Sequence, residues 1–312
     1  MSITVDQAWV YRFHDMLNLT YQQKGSLLEG LIDPGMVHRD VSAAIDHHER
    51  LGNVIANDVI DAFGQTKLLN PPHSRRAVTL QSSDAAVLVS DENTLRSMVN
   101  PQNAYLNTIV YALGRRADKH LIDASVGNAS VASVGAGSGV ITYGTQALLS
   151  AHTIGTGVAV VLADVINVAE LLSKGSVPSG MGERIWLYGP GQLRDFLAIT
   201  QASSSDFTRH KIHDMGTING IDWEGFRFIE ISDVVDSAKA VLQRMLPISG
   251  TNRGNIAFAR GALGLSIGRP IGAPKINERA DLNNSIQVRQ VMMQAAVRVW
   301  EAGVVRINVL EN

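Results

Sequence analysis

Residues 100–127 read NPQNAYLNTIVYALGRRADKHLIDASVG, and this run decides the architecture. Asn100 offers a side-chain cap, and Pro101 suits a first helical turn because its missing N–H would find no partner there. Leu106, Ile109, Val110, Leu113, Ala117, Leu121 and Ala124 then recur at steps of three and four. Arg115, Arg116, Asp118, Lys119 and Asp123 take mostly the other faces. The spacing predicts one amphipathic helix over 101–125, roughly 37 Å long at about 1.5 Å per residue. Gly127 is placed to end it. At about twice the usual helix length, it reads as a structural spine.

Upstream, residues 51–90 carry the β-branched Val54, Ile55, Val59 and Ile60, then the turn signal Asn70-Pro71-Pro72-His73, then a loosely alternating Arg75–Leu80. This predicts a two-stranded excursion with its tip near 64–73. Gly64, Gln65, Thr66 and Lys67 there are polar enough to face water or a neighbour. Residues 1–50 sustain neither a helical nor a strand period. Their apolar clusters (Trp9, Val10, Tyr11, Phe13; Leu27, Leu28, Leu31, Ile32) are broken by Asp33-Pro34-Gly35. That fits either an arm laid across another surface or a helical hairpin on its own domain.

Downstream, 126–157 is rich in glycine, serine, alanine and threonine and reads as short strands and turns joining two lobes. From 158 to 270 strands and helices alternate. Helices are expected over 163–172, from Gly189-Pro190 through Leu193, Phe196 and Leu197, and over 234–246 up to Pro247. Strands are expected over 184–188, 226–231 and 255–259. This is a compact α+β lobe. Ile286 and Val288, then Val305, Ile307 and Val309, alternate with polar residues on either side of Glu301-Ala302-Gly303, predicting a terminal β-hairpin. Residues 289–299 also fit a helix.

Composition narrows function by exclusion. Lys and Arg number 27 against 29 Asp and Glu, a net charge of −2, so no basic field draws nucleic acid. The chain has no cysteine, which removes disulfides, thiolate metal sites and cysteine nucleophiles. No apolar run reaches the roughly 18 residues of a membrane helix, and the acid-bearing start lacks an export pattern. Gly264-Leu265-Ser266-Ile267-Gly268 matches a nucleophile elbow, but that motif's histidine follows its serine, and the last histidine here is His213. Glycines in a tight connection account for it better. Gly135–Gly139 resembles half a dinucleotide loop, yet the β-prone Val140–Tyr143 follows where a helix should start, so a flexible turn is expected. His210 and His213, with Asp206 and Asp214, offer metal ligands, but Lys211 would repel a cation. His14, His38, His47, His48, His73, His120 and His152 read as solvated or core. No catalytic, cofactor or metal residue is expected, and the chain reads as no enzyme.

Two stretches carry a resemblance. The first runs through Arg75-Arg76-Ala-Val-Thr, Asp91-Glu92, Leu95-Arg96-Ser-Met-Val-Asn-Pro101, Tyr105, Arg115-Arg116, Asp118, Ile122 and Gly127. The second runs through Asn255–Gly268, Ile276-Asn-Glu278-Arg, Ala296-Val-Arg-Val-Trp-Glu301 and Val304-Val-Arg-Ile307. Their order resembles the major capsid proteins of tailed bacteriophages, which share the Hong Kong 97-like α+β fold. The resemblance implies an N-terminal arm at 1–50, an extended loop at 51–84, a peripheral domain at 85–135 with 270–312, and an axial domain at 136–269. It implies self-assembly as pentamers and hexamers into an icosahedral shell around double-stranded DNA, in the virion, after assembly in the host cytoplasm. The arm and loop lack private cores and would bury their apolar groups on other subunits.

Some members carry a scaffolding segment, for which this chain has no room, so a separate scaffolding protein is expected, with a portal protein and, as an open question, a cement protein. No membrane partner is expected. Lys67 is the only lysine in the proposed loop, and no lysine–asparagine crosslinks are expected. Lys67, Arg75 and Arg76 are the expected subunit-interface residues, the two arginines meeting acids of a neighbour. The rival readings are an encapsulin-type nanocompartment shell and a nucleotide-using enzyme built on Gly135–Gly139.

Overall fold

The computed structural model describes residues 22–58, 64–89, 102–131, 139–143, 153–155, 157–180, 182–199, 218–236, 241–283 and 285–311. The chain divides into two compact units. The first draws on Met1–Ser26, Ser82–Arg116 and Arg269–Met293, the second on Leu27–Gln81, Ala117–Gly268 and Gln294–Asn312.

The predicted spine is a helix over Gln102–Val126. Ile109, Leu113, Ala117 and Leu121, four residues apart, are buried, while Leu106, Val110 and Ala124 are half-buried. Its end is steric: a Cβ on Gly127 would meet the Asp123 carbonyl oxygen at 2.6 Å.

In the first unit, Gly114 marks a close approach, since a Cβ there would lie 2.5 Å from the Gly25 backbone. Arg115 Nη1 donates beside it to Gln22 Oε1 at 2.9 Å. Strand Lys275–Arg279 runs antiparallel to the start of the long strand Ser285–Arg298, which also pairs with Gln81–Val89.

The second unit is built on a sheet in the order Thr153–Ile154, Val304–Leu310, Asn252–Ala259, Arg184–Tyr188, Phe226–Glu230, Asp222–Trp223. Arg184–Tyr188 is buried throughout because both faces are covered. Trp186 and Tyr188 join Phe196, Phe226, Phe228 and helix residues Val165, Val168 and Leu172 in one core. Ile185 and Leu187 point the other way, into a core with Ile256, Phe258, Leu121 and Ile122. Phe226–Glu230 is parallel to Arg184–Tyr188, reached by a crossover containing the helix Leu193–Ala198. A second, antiparallel sheet places Ile45–Leu51, His73–Thr79, Ala129–Val131 and Gly139–Ile141 side by side.

Two expectations are corrected and one alternative is decided. Val234–Asp236 and Val241–Gln243, expected within a helix over 234–246, pair as antiparallel strands, as suits their β-branched valines. Ser285–Arg298 is strand, which decides between the two readings of 289–299, with Val288, Gln290, Met292 and Gln294 buried at a period of two. The terminal runs are not a hairpin, because Val304–Leu310 pairs with Asn252–Phe258 while Ser285–Arg298 belongs to another sheet.

Candidate functional site

Strands Ile45–Leu51 and His73–Thr79 pair from Ile45↔Thr79 to Leu51↔His73. The Gly52 N–H then donates to the Pro72 carbonyl at 2.8 Å and closes the base of a loop. Close approach requires the glycine, since a Cβ there would lie 2.6 Å from the Pro72 ring. Beyond this base, residues 53–58 and 64–70 are exposed coil. Ile55 is 88% and Leu68 93% exposed, with Val54 and Leu69 also open to solvent. Two large apolar side chains left uncovered among the described residues are what a second surface would bury, each at about 1.5–3 kcal/mol. The paired strands thus lie at the loop's base, closer to its ends than the predicted excursion over 51–90.

Lys67 stands exposed on this loop. Arg75 reaches Glu49, its cross-strand partner, at 3.3 Å. Arg76 points to the opposite face and is 1% exposed inside its own chain, a placement that an expected partner on a neighbour did not foresee. Burial, together with the charges of Arg50 and Arg298, pushes Arg76 down to about 10 against the pull of Glu301.

The pocket around Arg76 gathers distant residues. Arg50 donates to Ser74 Oγ at 2.7 Å and to the Val299 carbonyl at 2.8 Å, with its guanidinium 4.9 Å over the Trp300 ring. Arg298 Nε donates to Glu301 Oε2 at 2.5 Å, and its Nη1 donates to the carbonyls of Ser125 at 2.9 Å and Gly127 at 2.6 Å. Its guanidinium lies 5.0 Å over Tyr143, whose hydroxyl burial pushes well up. Carboxylate, carbonyls and aromatic faces thus tie the loop base to the helix end and the terminal strand. The arrangement is a fastening. Another buried arginine, Arg253, is held by Asp233 at 2.6 Å and by Glu311.

The other sequence candidates resolve differently. Ser266 of the elbow motif is fully buried in mid-strand, within Leu263–Arg269, and not in a tight connection. Its hydroxyl donates to Asp46 at 2.6 Å and lies 2.9 Å from His48 Nε2. Asp46 therefore holds the serine and does not orient His48, which is not the order of a catalytic triad. Gly264 is required for another reason: a Cβ there would sit 2.8 Å from the His48 ring. His38 and His48 were expected only as solvated or core residues, and Asp46 was not singled out, although Asp46 and His48 alternate on a strand and so share a face. His210, His213, Asp206, Asp214 and residues 135–138 lie outside the described residues.

A family model described as "Phage capsid protein" matches residues 5–311. A search of curated proteins finds no match. Among solved structures, a chain from Mycobacterium phage Che8 is 16% identical with a TM-score of 0.67, covering 96% of each chain. A chain of the Cyanophage Pam1 capsid asymmetric unit is 13% identical with a TM-score of 0.67, covering 98% of this chain and 97% of that one. A chain of the head structure of Helicobacter pylori bacteriophage KHP40 is 9% identical with a TM-score of 0.67, covering 100% and 98%. At such identities the likeness is one of fold.

Proposed function

Because the chain belongs to the phage capsid protein family and is a major capsid protein of the Hong Kong 97-like fold, we propose that it builds an icosahedral head shell from pentamers and hexamers around a double-stranded DNA genome. Residues 1–50 serve as the arm, 51–84 as the extended loop, 85–135 with 270–312 as the peripheral domain, and 136–269 as the axial domain. The loop lies over a neighbouring subunit, with Lys67 and Arg75 at that interface. A separate scaffolding protein directs assembly in the host cytoplasm, and a portal protein occupies one vertex.

The observation that carries this reading is the loop closed by Gly52 and Pro72, fastened at its base yet presenting Ile55 and Leu68 exposed among the described residues. The near-neutral net charge of −2 suits a shell that encloses DNA without gripping it.

The test is Leu68→Asp with Ile55→Asp, coexpressed with the neighbouring genes and examined by sedimentation velocity and negative-stain microscopy. The parent is expected to form shells or capsomers, and the variant to stay smaller with an unchanged melting temperature. Shells of normal yield from the variant would overturn the loop's role. Packaged DNA supports the genome reading, whereas a copurifying enzyme inside the shell would replace it with the nanocompartment. Efficient shell formation by this chain alone would remove the scaffolding protein.

A further inference from the structure

Strands Val37–His38, Ile45–Leu51 and Leu263–Arg269 bring four polar side chains together in the second unit. His38 stands in parallel register with Ser266. His38 Nδ1 lies 2.7 Å from Asp46 Oδ2, the oxygen that also accepts the Ser266 hydroxyl. His48 Nε2 lies 4.0 Å from that same oxygen. The two imidazoles stack, with centroids 4.1 Å apart and 10° between their planes. One donor atom from each of His38, Asp46 and His48 falls within 4.8 Å of the others.

We propose that His38 Nδ1, Asp46 Oδ2 and His48 Nε2 bind a divalent transition-metal ion of the zinc type, with water completing the shell. Two imidazoles and a carboxylate are the donor set that borderline divalent metals take from a chain without cysteine. Tetrahedral bonds of about 2.0–2.1 Å put donors roughly 3.3 Å apart. The 2.7 Å separation must therefore open and the 4.0 Å one close, each by about 0.6–0.7 Å, and the half-exposed His38 ring must swing out of its stack on His48 so that both in-plane lone pairs meet at the ion.

The surroundings hold the donors in place. His48 is 2% exposed, and its ring lies flat against Gly264, leaving no room to turn away. Ser266 Oγ lies 2.6 Å from Asp46 Oδ2 and 2.9 Å from His48 Nε2, bridging two of the donor atoms, and its hydroxyl turns aside when the ion takes both. The His38 side chain is 38% exposed and leaves a path for the ion and its water. An ion here would bolt Ile45–Leu51, the strand that leads into the extended loop, to Val37–His38, which pairs with Leu265–Ser266.

The full-length chain, as purified capsomers or shells, is stripped with a chelator, dialysed against zinc and analysed for metal by mass spectrometry, with cobalt(II) as the probe of geometry. The parent is expected to retain stoichiometric zinc and to show the strong visible absorption of four-coordinate cobalt. His38→Ala and Asp46→Asn are each expected to lose both. His38 lies toward solvent, so its replacement leaves the core intact and keeps the test readable. A parent that retains no metal, or variants that retain as much as the parent, would overturn the site. Metal content is read on whatever oligomer forms, so its failure is distinct from a failure of shell assembly.

Discussion

Replacing Glu301 by glutamine tests the fastening at the loop base. Glu301 is 6% exposed and its partner Arg298 is fully buried. The carboxylate also draws on Arg50 and Arg76, which it helps keep charged against burial. Glutamine keeps the shape and removes the charge, leaving three guanidiniums with their mutual repulsion. Breaking a buried pair from one side costs about 3–5 kcal/mol. For a unit of this size each kcal/mol moves the midpoint by about 2–4 °C, so Glu301→Gln should lower it by roughly 6–20 °C. Intrinsic fluorescence is a suitable assay, since Trp300 lies directly under Arg50. Glu49→Gln is the control: its side chain is 64% exposed, and loss of its pair with Arg75 should cost under about 1 kcal/mol. Adding Arg298→Met to Glu301→Gln should recover part of the loss, because no buried charge is then left without its partner at that pair. Recovery will be partial, as Arg298 also serves the Ser125 and Gly127 carbonyls. If Glu301→Gln melts with the parent, or the double variant shows the plain sum of its singles, the cluster does not hold the loop base.

Gly114→Ala should gain about 1 kcal/mol of helix propensity yet lose more, because its Cβ would meet the Gly25 backbone at 2.5 Å. Trypsin cleavage after Lys24 should accelerate, and an unchanged rate would show that the segment does not rest on the helix there. Acid should destabilise the chelator-treated chain. Burial, then the charge of His38, pushes His48 down to about 4 from its ordinary value of 6.5, so the unfolded state binds the extra proton between those values. Asp46 is also lowered: burial opposes this, but hydrogen bonds from Ser266, His38 and the His47 N–H prevail, and its contribution too is lost as pH falls. The His48 shift corresponds to about 3 kcal/mol lost progressively between pH 6.5 and 4, to be read from denaturant midpoints. A midpoint flat across that window would count against a buried neutral His48. Finally, boiled shells should run as a monomer on a denaturing gel, whereas a ladder would point to crosslinking through Lys67.

The spine was legible because a 3.6-residue period sustained over 25 residues is hard to imitate by chance, and its burial falls on the expected face. Short elements were not. Val234 to Leu246 supports helix and strand spacing equally over so few turns, and strand pairing decided it. The terminal runs alternate as a hairpin should, yet alternation names a face and not a partner. Val304–Leu310 found its partner about fifty positions earlier, in Asn252–Ala259. Ser266 was hidden from His48 and Asp46 by more than two hundred residues of sequence, and their proximity shows only when the strands are laid side by side.

The arginine pair shows how a pattern can be read correctly while its cause is missed. Arg75-Arg76 and Trp300-Glu301 lie in separate stretches, and each was recognisable by spacing alone. In the folded chain Arg76, Arg50, Trp300 and Glu301 belong to one buried cluster, and Gly127, which ends the spine, lends it a carbonyl. Adjacent residues on a strand face opposite ways, so Arg75 can serve the surface only because Arg76 serves the interior. Arg76→Ala should therefore act on the folding of the isolated chain, whereas Arg75→Ala should act on assembly if it acts at all. Measuring melting temperature and shell yield on both variants separates the two roles. Equal effects of the pair on assembly, with neither altering the melt, would mean that the interior cluster is not what Arg76 is for.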